Sequence, residues 1–158
     1  MASFKTIIPL TPRPKASVRV GRYGSYNPSQ KEMDKITQLV KSQLRGVEGA
    51  LLQGPLLVIY HFHLPLPGIC KGLKRPLKHM TPHNKRPDID NLMKFVNDAL
   101  NGVLWRDDSQ IAYCMMTKSF TQDKKGYTEL YAKELGDAKY NFDEIQKLIN
   151  EFLRPNGD

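Results

Sequence analysis

Apolar residues recur at helical spacing in three stretches of this chain and alternate with a period of two in others. The strongest series is Leu92, Phe95, Val96, Ala99, Leu100 and Val103, spaced i, i+3, i+4, i+7, i+8, i+11, which lines one face of a 3.6-residue helix. Gly102 supplies the left-handed residue that commonly ends a helix, and Asn101 before it is a poor interior residue. Pro87 keeps Arg86 out of the α region, so the chain arrives extended and turns helical at about Asp90. A helix is also predicted over Ser29 to Leu44, capped by Ser29, with Met33, Ile36, Val40 and Leu44 as its stripe and Leu39 beside it. Lys31, Lys35 and Lys41 fall on its solvated face. A last helix runs over Asn141 to Phe152, with Ile145, Leu148, Ile149 and Phe152 as a stripe that seals either the core or a dimer interface.

Residues 4–10 read as a short strand, with Pro9 marking an edge or a strand end. Pro55 to Pro65 places Val58, Tyr60, Phe62 and Leu64 on one side and Ile59, His61 and His63 on the other, a strand whose first half is buried on both faces. Ile111 to Phe120 and Gly126 to Glu134 form the best hairpin candidate, turning at Thr121–Lys125. The order β, loop, α, β, loop, α, β, β, α predicts one α+β domain over residues 1–158, a small mixed or antiparallel sheet packed with helices.

Charge adds a partner to this picture. The net charge is +8 and the pI about 9.5, which suits a polyanion, because Lys and Arg on phosphates release counterions. The residues 11–28 carry Arg13, Lys15, Arg19 and Arg22, interleaved with Tyr23 and Tyr26 and without an acid. Rings that stack on bases beside cations that meet phosphates suit a DNA groove; an exposed polar connector is the plainer alternative. The residues 66–86 hold Lys71, Lys74, Arg75, Lys78, Lys85 and Arg86, and no acid occurs between Glu48 and Asp88. The approach to Asp88 is therefore cationic or neutral. Two cysteines, Cys70 and Cys114, make neither a disulfide framework nor a paired metal motif and fit a reducing cytoplasm. No run approaches the roughly 18 apolar residues of a membrane span, and the N-terminus lacks a signal-peptide pattern, so a cytoplasmic protein without a membrane partner is expected.

The candidate chemistry is acidic. Asp88 and Asp90 sit two apart on the extended approach, so alternation puts both carboxylates on one side, near the positive end of a helix dipole. An N-cap role accounts for one aspartate but not for two, nor for Asp107 and Asp108 after the helix. If Val103, Leu104 and Trp105 turn the chain back so that Ile111 to Phe120 runs beside the segment entering Asp88, the second acidic pair returns to the first. Carboxylates so close repel unless a cation sits between them, and oxygen-only donors favour Mg²⁺ or Mn²⁺. Lys94, four residues after Asp90, is either a surface i,i+4 partner or a cation beside the metal, and spacing does not separate the two. His61, His63, His79 and His83 lack Cys partners and a zinc-ligand spacing; His61 and His63 are expected on a sheet face near the site.

The run Arg86-Pro87-Asp88-x-Asp90-Asn91-Leu92-x-Lys94, then Asp98-Ala99-Leu100, then Trp105-x-Asp107-Asp108-x-Gln110-Ile111, resembles the RusA family of Holliday-junction resolvases, small endodeoxyribonucleases often carried by prophages. The resemblance implies that Asp88, Asp90 and Asp108 are catalytic metal ligands assisted by Lys94, with Asp107 a neighbour. It also implies a homodimer that nicks two opposed strands of a four-way DNA junction. The competing readings are a basic nucleic-acid-binding module without catalysis, in which the aspartates are caps and turn residues, and a metal nuclease acting on flaps, forks or RNA.

Overall fold

The computed structural model describes residues 2–22, 24–45, 51–66, 81–136 and 139–153. Its main sheet has four strands, β1 (Ser3–Ile8), β4 (Leu56–Pro65), β5 (Ile111–Thr121) and β6 (Tyr127–Glu134), in the order β1-β6-β4-β5. The pairs β1–β6 and β4–β6 are antiparallel, and β4–β5 is parallel, so the sheet is mixed and the domain α+β, as expected. The expected β5–β6 hairpin does not form. Both strands pair with β4, which lies between them. The reason is burial: β4 is buried on both faces along nearly its whole length, so it takes the centre of the sheet with a neighbour on each edge.

Period-two alternation divides β4 between two cores. Leu56, Val58, Tyr60, Phe62 and Leu64 face the larger core, which holds Met33, Ile36 and Val40 of α1 (Gln30–Gln43) and Leu92, Phe95, Val96, Ala99 and Leu100 of α2 (Ile89–Leu100). Leu57 and Ile59 face the other way, against Ile145, Leu148 and Ile149 of α3 (Phe142–Leu153). The α3 stripe therefore seals a second core layer, with Leu135 between the elements. At the start of α1, Ser29 makes no side-chain cap; Asn27 Oδ1 instead accepts from the Ser29 amide at 2.9 Å.

Residues 11–28 are not wholly a loop. They contain a two-stranded ribbon, β2 (Arg19–Gly21) with β3 (Gly24–Tyr26), whose residues are all exposed. After α2, Gly102 (φ 71°) turns the chain in the left-handed region, and buried Trp105 donates from Nε1 to Asn101 Oδ1 at 2.8 Å. That turn sends the chain back into β5.

Candidate active site

Asp88 holds the N-cap position of α2 with extended backbone (φ −69°, ψ 142°), and its side chain makes no capping hydrogen bond. Asp90 is already inside the first helical turn. The onset of the helix, rather than strand alternation, thus sets the two carboxylates. Both line a cleft of about 560 Å³, together with Ile89, Pro82, His83 and residues Met116 to Ser119 of β5. The cleft opens at the outer edge of β5, where His83 N donates to Lys118 O (3.0 Å) and Phe120 N donates to Thr81 O (2.9 Å). The segment entering Asp88 therefore runs beside β5, as the sequence required for a shared acidic site.

Lys118 fixes that segment. Its Nζ donates to the carbonyl of Lys85 at 2.6 Å and of Pro87 at 2.7 Å, around the cis Arg86–Pro87 peptide. A cation thereby reaches the wall of the cleft next to Asp88. Sequence reading missed Lys118, because its role depends on pairing across more than thirty residues, and a lone lysine in a strand carries no local signal. Lys94 Nζ donates to Asp90 Oδ2 at 3.0 Å, and this bond holds the exposed Asp90 carboxyl below its ordinary range.

Asp108 follows α2 and opens the 3₁₀ turn that leads into β5. Its Oδ2 is 3.5 Å from Asn97 Nδ2, and Asn97 Oδ1 accepts from the buried Tyr60 hydroxyl. Burial, first, and then Cys114 and Asp108 push the Tyr60 phenol well above its usual range, so it stays a donor. Seven residues of α2 separate Asp90 from Asn97, about 10 Å of helix rise. Asp88, Asp90 and Asp108 do not have ligand atoms all within 4.8 Å of one another. Asn97 is a second residue that sequence reading missed; its signal was an asparagine within a helix face that is otherwise apolar.

Asp107 has a structural task. Its carboxylate accepts from Ser109 N at 2.9 Å, and Gln110 Oε1 accepts from Asp107 N at 3.2 Å, a capping box that starts the 3₁₀ turn Asp108–Gln110. The same Gln110 donates to the carbonyls of Leu52 and Gly54, which anchors the turn to the domain. Cys114, 3.7 Å from Met93 Sδ, has a thiol pushed up to about 11 by desolvation and offers no thiolate.

The cations expected to meet DNA divide into three groups. Lys15 is paired with Asp98 of α2 at 2.7 Å and Arg13 with Glu32 of α1 at 3.5 Å, so these two fasten the residues after β1 to the helices. Arg19 and Arg22 lie on the exposed ribbon, and Lys85 and Arg86 are exposed on the approach to Asp88. Tyr23, Lys71, Lys74, Arg75 and Lys78 lie outside the described residues.

The histidines add a cluster of their own. Among the described residues, the one group of three His, Cys, Asp or Glu side chains with ligand atoms all within 4.8 Å of one another is His61, His63 and Glu129. The two histidines do lie on a sheet face near the cleft, but on the side opposite α1 and α2, and Glu129 comes from β6, opposite His61 in the register. Burial, and secondarily His63, push His61 down to about 4, so it is neutral at pH 7.

A basic α+β domain with two carboxylates at a helix start, facing a cleft and flanked by lysines, has the build of an enzyme that works on phosphodiesters. The chain belongs to the RusA endodeoxyribonuclease family: the model for endodeoxyribonuclease RusA matches residues 9–130, a span that includes every element from the residues after β1 to the middle of β6. It is an endodeoxyribonuclease by that membership. It is also 28% identical over 118 residues to YqaN, an uncharacterized protein of Bacillus subtilis (strain 168), a match covering 72% of this chain and 82% of the relative. No helix among the described residues is long and apolar enough to cross a membrane.

Proposed function

We propose that this chain is a metal-dependent nuclease that resolves four-way DNA junctions by paired nicks, working as a homodimer with Asp88, Asp90, Asp108 and Lys94 in each active site. The observation that carries the reading is the cleft at the start of α2, which Asp88, Asp90 and Lys118 all line within the span matched by the family. The donor set fits a hard divalent cation. Asp88 and Asp90 offer oxygen only, Asp88 is free of a capping bond, and Mg²⁺ is ordinarily held by one or two carboxylates, waters and a substrate phosphate. Asp88 and Asp90 would hold Mg²⁺ or Mn²⁺ there, and the chemistry it would supply is activation of a water and stabilisation of charge on the departing 3′ oxygen.

The chain's own residues do the rest. Lys94, held by Asp90, places a cation where charge on the phosphate builds up. Asp108, oriented by Asn97 and through it by Tyr60, presents a third carboxylate from the start of β5. Arg19, Arg22, Lys85 and Arg86, with Lys71, Lys74, Arg75 and Lys78, meet the DNA backbone, which selects a junction by shape rather than by base sequence.

The test is cleavage of a labelled four-way junction beside linear duplex, flap and fork substrates, with and without Mg²⁺, by wild type and Asp90→Asn. Paired symmetric nicks that require metal are expected in wild type, with cutting lost and junction binding kept or tightened in the variant, since one negative charge facing DNA is gone. Preferred cutting of flaps or forks would reassign the substrate. Loss of binding along with cutting would make Asp90 a structural residue.

A further inference from the structure

On the face of the sheet opposite α1 and α2, the odd positions of β4 run Leu57, Ile59, His61, His63. The first two are covered by α3; the two histidines continue the row without being part of that apolar cluster. Their rings lie 3.8 Å apart, and Tyr127 of β6 stacks on His63 at 4.1 Å. Each imidazole has one nitrogen at the hydroxyl of Ser119, His61 Nε2 at 2.9 Å and His63 Nδ1 at 3.4 Å. The other nitrogen of each is turned to Glu129, His63 Nε2 at 3.4 Å from Oε1 and His61 Nδ1 at 3.9 Å from Oε2. His63 Nε2 is buried and makes no hydrogen bond in this arrangement.

From this we infer a second metal site, a His61–His63–Glu129 centre for a zinc-like transition-metal ion, separate from the cleft of Asp88 and Asp90. A tetrahedral ion with bonds of about 2.1 Å sets neighbouring donor atoms roughly 3.4 Å apart, close to the separations seen. Two imidazoles and one carboxylate are a zinc donor set, whereas Mg²⁺ favours oxygen alone. The outer nitrogens are already arranged as such a centre needs them. Ser119 Oγ is within reach of one nitrogen of each ring, and by accepting from both it would leave the lone pairs that face Glu129 free for an ion. Glu129 is partly exposed, which leaves a way in. Because Ser119 also lines the cleft, the ion braces β4, β5 and β6 behind the wall of the active site.

The experiment uses the full chain, stripped with a chelator, titrated with Co²⁺ as a spectroscopic probe and then with Zn²⁺ as competitor. The expected result is one equivalent of Co²⁺ giving visible absorption, displaced by one equivalent of Zn²⁺ but not by excess Mg²⁺. The melting midpoint should rise by about 5–10 °C at a hundredfold excess of Zn²⁺ over its Kd. Glu129→Gln, which keeps the shape and removes the charged ligand, should weaken Zn²⁺ at least tenfold, and Ser119→Ala by roughly 10–100-fold. The double variant Asp88→Asn/Asp90→Asn should keep the signal intact. Absence of Co²⁺ binding by folded wild type overturns the inference, as does binding unchanged in Glu129→Gln or lost with the two aspartates. Failure here leaves the nuclease reading standing, since that reading depends on the cleft alone.

Discussion

Three side chains decide how the acidic residues are presented, and each has a separable effect. Asn97 is buried and bridges Tyr60 to Asp108, so Asn97→Ala leaves a buried hydroxyl and a carboxylate without that partner. Orphaning buried polar groups costs about 1–3 kcal/mol, to be read as a lower urea midpoint with unchanged slope. DNA cleavage should drop as well, with junction affinity retained; an unshifted midpoint would mean that Tyr60 bonds elsewhere. The adjacent pair Asp107 and Asp108 divides labour in the same testable way. Asp107→Ala removes the cap of the 3₁₀ turn and should lower the melting midpoint while leaving measurable cutting. Asp108→Asn, which keeps an acceptor for Asn97 and removes the charge, should do the reverse, abolishing cutting at near wild-type stability. Equal loss of activity in both would assign Asp107 to the chemistry.

At the level of elements, the crossing from β5 over the end of β4 to β6 is closely packed at Gly126. A Cβ on Gly126 would lie 2.4 Å from the His63 carbonyl oxygen and 2.8 Å from Pro12 Cδ, and backbone on one side cannot yield. Gly126→Ala should therefore destabilise the domain by several kcal/mol, on the order of other severe overpacking changes, and circular dichroism melts would show it. A wild-type melt would mean that β6 starts differently. On the other side of the site, buried Trp105 ties the turn after α2 to Asn101 and so sets where Asp108 arrives. Trp105→Ala should cost about 3–5 kcal/mol and scatter Asp108, so that cutting falls more than the loss of folded protein accounts for.

For the molecule as a whole, net charge and assembly are the quantities that matter. A chain of +8 that neutralises four to six phosphates should lose affinity for DNA by about 10²–10³ between roughly 50 and 200 mM salt. A flat response in filter-binding or fluorescence titrations would remove the backbone from the binding account. Paired nicks in opposed strands need two active sites, and one 18.1 kDa chain carries one cleft of this kind among its described residues. Sedimentation at working concentrations should give a dimer; a monomer that still cuts both strands in one encounter would end the homodimer proposal.

Much of this was legible in the amino acids themselves. The apolar positions of α1, α2 and α3 repeat at 3.6 residues, and that steric period is local, so these helices were placed to within two residues. The acidic run from Asp88 to Asp108 is likewise contiguous, which is why it carried the family resemblance before any fold was known. Tertiary structure decided what local period cannot contain. Alternation marks β4, β5 and β6 as strands, but only burial of β4 on both faces inserts it between the other two and dissolves the hairpin. Lys118 reaches Pro87, and His61 meets Glu129, only because that strand order brings together residues far apart in the chain. The place of Asp108 was set in the same way, by the turn after α2 and by the hydrogen bond from Asn97.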